Sequence, residues 1–144
     1  MATTSATAAP VATLSKPRVA VILVVAVAIA IALNAVVATI AKAAGAPADF
    51  GGLSVPAYVS MTILGVLAGW IGWHLVERHA RDPRRALTIL VPVVLLLSFI
   101  PDILLAVLQF MPGATGTAIL ALVVMHIVVA AVAVPAYVLA SRSH

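Results

Sequence analysis

Two side chains in this sequence combine reactive chemistry with apolar surroundings: Asp102, in Leu97-Ser-Phe-Ile-Pro-Asp102, and His126, in Val124-Met-His126. A carboxyl and an imidazole within hydrogen-bond reach can exchange a proton as acid and base, or hold a polar ligand between them. Asp102 precedes Met111 by nine residues and His126 follows Thr117 by nine, on either side of the turn Pro112-Gly-Ala-Thr-Gly116. If both flanks are helical, each group lies about 13 Å from the turn at the usual rise per residue, so a hairpin brings them to one level. Asn34, Ser60 and Thr62 fall about 6–10 Å from the same surface by that rise. Ser98, Asp102, Leu105 and Gln109 share one helical stripe.

These residues define the candidate site. Asp102 and His126 are the catalytic candidates, and Asn34, Ser98, Asp102 and His126 the ligand-binding set. Burial favours a neutral pair, whereas mutual attraction favours an ion pair or a shared proton, and either outcome satisfies the carboxyl. The pair is therefore compatible with three roles: a clasp fixing helix register, a ligand or proton site, or acid–base catalysis on a lipophilic substrate. Metal and haem are not expected. One His with one Asp is an incomplete ligand set, and His74 and His79 lie toward the opposite surface. The chain has no Cys, which removes thiolate catalysis, disulfides and iron–sulfur ligation. It has no Gly-rich phosphate loop, nucleophile elbow or H-E-x-x-H pattern either, and no cofactor is expected.

The elements that must position these groups follow from composition. Of 144 residues, 65% are hydrophobic and 8% charged, with a mean hydropathy of +1.26. A water-soluble domain carries far more charge and a disordered chain far less apolar surface, so the lipid bilayer is the expected partner. The net charge of +4 is too thinly spread for nucleic acid. Four apolar stretches, Val19–Ala41, Pro56–Val76, Ala86–Met111 and Thr117–Ala140, have 23, 21, 26 and 24 residues. Each reaches the roughly 20 residues that a helix needs to cross lipid with no backbone group unpaired. The expected fold is an all-α membrane protein, an antiparallel four-helix transmembrane bundle spanning residues 18–141 behind a disordered cytoplasmic tail, 1–17. Lys16, Arg18, Arg78, Arg81, Arg84, Arg85 and Arg142 fall on one side and Lys42 alone on the other. The positive-inside rule then places both termini and the Glu77–Arg85 connection in the cytoplasm of a plasma-membrane protein.

Local signals refine this frame. Asp82 followed by Pro83 suits a helix N-cap and first position. Pro92, Pro101 and Pro135 each free a carbonyl four residues earlier, at Thr88, Leu97 and Ala131. Gly65, Gly69 and Gly72, with Ala26, Ala30, Asn34 and Ala38 at four-residue spacing, suit close helix packing, within one subunit or in a homo-oligomer. Trp70, Trp73 and His74 fit an interfacial anchor, and the Arg-rich connection fits a topology determinant.

Leu64-Gly-Val-Leu-Ala-Gly-Trp70, Arg81-Asp-Pro-Arg-Arg85, Leu97-Ser-Phe-Ile-Pro-Asp102, and Val124-Met-His126 with Val134-Pro135 carry a resemblance. On them, the stretch from Arg18 to Tyr137 resembles a family of short four-span actinobacterial membrane proteins catalogued as a domain of unknown function. The resemblance implies topology and no activity. The expected function is a membrane binding or accessory protein, homo-oligomeric, with a polar pocket in its outer half for a lipophilic small molecule. The alternatives are a membrane-embedded isomerase or cyclase using Asp102 and His126, and a subunit of a dimeric transporter.

Overall fold

The structure, a computed structural model, describes residues 16–142. The tail expected over residues 1–17 lies outside them except for Lys16 and Pro17, which already belong to the first helix. The described residues are all-helical, in the order α1 (Lys16–Ala43), a 3-10 turn (Gly51–Leu53), α2 (Val55–His79), α3 (Pro83–Ser98), α4 (Ile100–Leu108) and α5 (Gly116–Ser141). Among the described residues, four stretches are long and apolar enough to cross a membrane: Pro17–Ala43, Val55–His79, Pro83–Leu108 and Gly116–Ser141.

Short-range chemistry sets most of these ends. α1 stops because Gly45 takes a left-handed φ of 96°. The Ala46 N–H then reaches the Ala41 carbonyl at 2.9 Å and the Gly45 N–H reaches that of Lys42 at 3.1 Å, which satisfies two terminal acceptors. Asp82 caps α3 as expected, its Oδ1 accepting from the Arg85 N–H at 3.1 Å. Thr115 does the same for α5, accepting from the Ala118 N–H at 3.3 Å.

The third stretch departs from the expected single helix over 86–111. Pro92 and Pro135 are carried within continuous helices, but at Pro101 the helix breaks. Proline has no N–H to donate, and its ring crowds the carbonyl four residues back, that of Leu97. The Phe99 N–H turns to the Leu96 carbonyl at 3.2 Å, one residue short of the α pattern. A new helix opens with the Ile103 N–H on the Phe99 carbonyl at 2.9 Å. α4 also ends early, because Gln109 swings to a left-handed φ of 51°.

Packing is the reverse of a water-soluble protein. The buried residues are largely alanines, Ala26, Ala30, Ala38, Ala41, Ala118, Ala121, Ala133, Ala136 and Ala140, whereas Val24, Leu64, Leu96, Val107 and Leu120 are over half exposed. Lipid is as apolar as leucine, so burying leucine gains nothing there. Small side chains let backbones approach instead, and α1 and α5 make the most extensive contact in the chain. Two clusters divide the interior. One joins the end of α1 (Ala38, Ala41) to the starts of α2 (Tyr58) and α5 (Ala118, Ala121, Met125), plugged by Phe50 and Leu53 from the connection between α1 and α2. The other joins the start of α1 (Leu23) to Val66 of α2 and to Ala133 and Tyr137 of α5.

Within the second cluster the Tyr137 hydroxyl crosses to donate to the Val66 carbonyl at 2.6 Å. It passes Gly69 so closely that a Cβ there would stand 2.5 Å from the Tyr137 oxygen. Gly65 has only an ordinary neighbour, Val129 at 3.8 Å, and a Cβ on Gly72 would meet nothing within 4 Å. Gly69→Ala is therefore expected to destabilise the chain by about 1–3 kcal/mol through overpacking. Gly72→Ala should stay within about 0.5 kcal/mol. Thermal unfolding of both variants in detergent micelles checks the contrast.

Candidate functional site

The break before Pro101 builds the site. Because α4 restarts at Ile100, Asp102 falls in the first turn of a helix rather than in the middle of one. The first-turn N–H groups have no carbonyl partners and carry the positive end of the helix dipole, which favours a carboxylate placed there. Asp102 is 5% exposed. Its Oδ2 lies 3.2 Å from His126 Nδ1, across the contact between α4 and α5.

That nitrogen has a second neighbour. His126 Nδ1 stands 2.8 Å from the Leu122 carbonyl oxygen one turn back on α5. A carbonyl can only accept, so Nδ1 must carry the proton, and this assigns the tautomer. One N–H faces two acceptors. The shorter contact goes to Leu122, and Asp102 Oδ2 is left buried without a well-formed hydrogen bond. The Phe99 ring meets the imidazole edge-on at 6.1 Å between centroids, bracing it from the break itself. Nε2, on the far edge of the ring, makes no hydrogen bond among the described residues, and 37% of the His126 side chain is exposed on the outer surface of the bundle.

The other expected site residues are placed elsewhere. Asn34 Nδ2 donates to Thr62 Oγ1 at 2.9 Å, tying α1 to α2. Both residues are buried, and Asn34 Oδ1 has no hydrogen-bond partner among the described residues. Ser98 returns its hydroxyl to the Leu95 carbonyl of its own helix at 2.6 Å, and Ser60 does likewise to Pro56 at 2.7 Å. Gln109 leaves the stripe, and its amide bonds the Ala106 carbonyl at 2.7 Å. The side-chain to side-chain contacts among these expected site residues thus form two separate pairs, Asn34 with Thr62 and Asp102 with His126. Two open depressions, one at Pro17, Arg18, Val21 and Ile22 and one between α2 and α3, include neither pair.

Part of this arrangement is encoded in residue spacing. His126 and Leu122 are four apart, the spacing at which a helical polar side chain reaches back to a carbonyl. The bond of Tyr137 to the Val66 carbonyl had a signal too, since a phenol in an apolar span must find an acceptor. At the Arg-rich end, Trp73 Nε1 donates to Ser141 Oγ at 2.8 Å and the Trp70 ring stacks on His74 at 5.9 Å. Among the described residues, no three His, Cys, Asp or Glu are grouped to hold a metal.

The chain belongs to DUF6069, a family of unknown function, which matches residues 14–143. No curated protein and no solved structure matches it.

The shared proton makes the pair asymmetric. Replacing Asp102 by Leu leaves His126 its bond to Leu122, whereas replacing His126 by Leu strands a buried carboxyl. His126→Leu is expected to cost about 2 kcal/mol or more, and Asp102→Leu clearly less. The double variant should recover about 1 kcal/mol relative to the sum. A double-mutant cycle by thermal unfolding in micelles measures this, and strict additivity would show that the two groups do not interact.

Proposed function

We propose that this chain is a multi-pass plasma-membrane binding or accessory protein. On this reading its four spans run antiparallel, with the start of α1, the connection between α2 and α3 and the end of α5 in the cytoplasm. Its site holds the hydrogen-bond donor of an amphiphilic ligand against His126. The distribution of Lys and Arg supports the orientation. The two apolar clusters, into which α1 enters by opposite ends from α2 and α5, support opposed directions for those helices.

One observation carries the binding role: a buried carboxylate lies 3.2 Å behind an imidazole that is 37% open to the outer surface of an apolar bundle. Ionisable groups inside a membrane are costly, and a broken helix that aims its positive end at one is a recurrent way of building a binding site there. With Nδ1 protonated, Nε2 is an acceptor, so the complementary ligand brings a hydroxyl or an N–H at bilayer depth. Access is lateral, from the lipid. Asn34, held by Thr62, supports the bundle rather than touching the ligand.

The same arrangement supports a second reading. An imidazole oriented through Nδ1 by a carboxylate can take a proton at Nε2, as a membrane-embedded isomerase or cyclase requires. The two differ in outcome: a binder retains its ligand unchanged, and an enzyme converts it.

The protein in phosphatidylcholine nanodiscs, photolabelled with a diazirine-bearing long-chain alcohol, tests the site. Saturable labelling is expected in peptides around Phe99–Leu105 and Leu122–Val129, falling about tenfold in His126→Phe through loss of one hydrogen bond. Labelling that does not saturate, or is equal in His126→Phe, overturns the binding role. Time-dependent conversion of the alcohol favours the enzyme. Orientation is read independently, since the chain has no Cys of its own. Asp49→Cys should react with an impermeant maleimide on intact cells and Arg81→Cys only after permeabilisation; the reverse pattern inverts the topology.

A further inference from the structure

A second site lies at the other end of the bundle and owes nothing to Asp102 or His126. The end of α2 and the start of α3 enclose an open depression lined by His74, Glu77, Arg78, Pro83, Arg84 and Ser141. Two arginines line it from two helices, Arg78 from the last turn of α2 and Arg84 from the first turn of α3. Among the described residues neither is in an ion pair. Asp82 is occupied in capping the Arg85 N–H, and the Glu77 carboxylate lies beside His74, 3.9 Å from its Nδ1. Arg81 and Arg85 belong to the same connection but do not line the depression.

We infer that this depression holds the phosphate group of an anionic phospholipid. Guanidinium groups match phosphate oxygens with paired N–H donors, and two arginines lining one depression from different helices define a place rather than a diffuse charge. What selects a lipid over a soluble phosphate is the setting. Trp70 and Trp73 pack on Tyr137 with ring centroids 5.8 and 5.6 Å apart, and Trp73 is tied to Ser141 in the depression's own wall. Tryptophan rings settle at headgroup level, so the depression opens at that depth. On the same face of α2 as Arg78, one and two turns further into the bundle, Leu75 and Ile71 present exposed apolar surface on which acyl chains can lie. The Arg-rich connection is then a recognition element as well as a topology signal.

The full chain in nanodiscs of phosphatidylcholine, with phosphatidylglycerol titrated in and retained lipid read by native mass spectrometry, tests this. Phosphatidylglycerol is expected to be retained stoichiometrically over phosphatidylcholine. The double variant R78Q/R84Q should bind it about tenfold more weakly, while R81Q/R85Q stays within about twofold of the parent. Both pairs are exposed, and an unchanged unfolding temperature confirms that each variant folds. No preference in the parent chain overturns the proposal, as does an equal loss in the two double variants, which would indicate unspecific surface charge. Displacement of the lipid by millimolar inorganic phosphate would overturn it in favour of a soluble phosphate ligand.

Discussion

A carboxyl group among apolar helices has to be compensated from within the chain, and most of what is distinctive here follows from how Asp102 meets that requirement. Pro101 ends one helix and lets another begin, so the carboxyl stands over a helix N-terminus rather than beside a saturated backbone. Phe99, the residue between the two helices, braces the His126 ring. The Leu122 carbonyl then draws the imidazole proton partly away. The result is a dyad that satisfies His126 better than it satisfies Asp102. That residual demand is what sets it apart from an ordinary structural ion pair.

The rest of the bundle obeys a different economy. With no water to exclude, helices are held by close backbone approach and by the few polar bonds that lipid cannot replace. Alanine stripes on α1 and α5 supply the first. Asn34 with Thr62 and Tyr137 with the Val66 carbonyl supply the second, and both join α2 to its neighbours. In each case a group that would be stranded in hydrocarbon finds its partner on another helix, so the bond fixes register as well as adding stability.

The two ends of the molecule are finished differently. At one, Phe50 and Leu53 fold inward and close the bundle with apolar side chains. At the other, tryptophans, a serine and arginines leave an open, polar rim. The Asp102–His126 dyad and this rim are separate features, resting on different residues, with α5 the one helix that contributes to both.

Composition and periodicity alone determined the all-helical character, the four membrane-capable stretches and the N-cap at Asp82, because a span length, a charge count and a cap are each decided within a few consecutive residues. The approach of Asp102 to His126 was legible too, since a tight turn forces equal depths on its two flanks. Three things were not legible. Pro92, Pro101 and Pro135 look alike in sequence, and only Pro101 breaks its helix, because the surrounding packing decides whether a freed carbonyl is tolerated. Asn34 and Ser98 had suitable depth, but depth is one coordinate, and the rotation of each helix about its own axis sent Asn34 to Thr62. The burial of Phe50 and Leu53 also depended on where two connections met. Those azimuths and contacts are set jointly by all the helices, through side chains far apart in the chain, so only the tertiary structure could decide them.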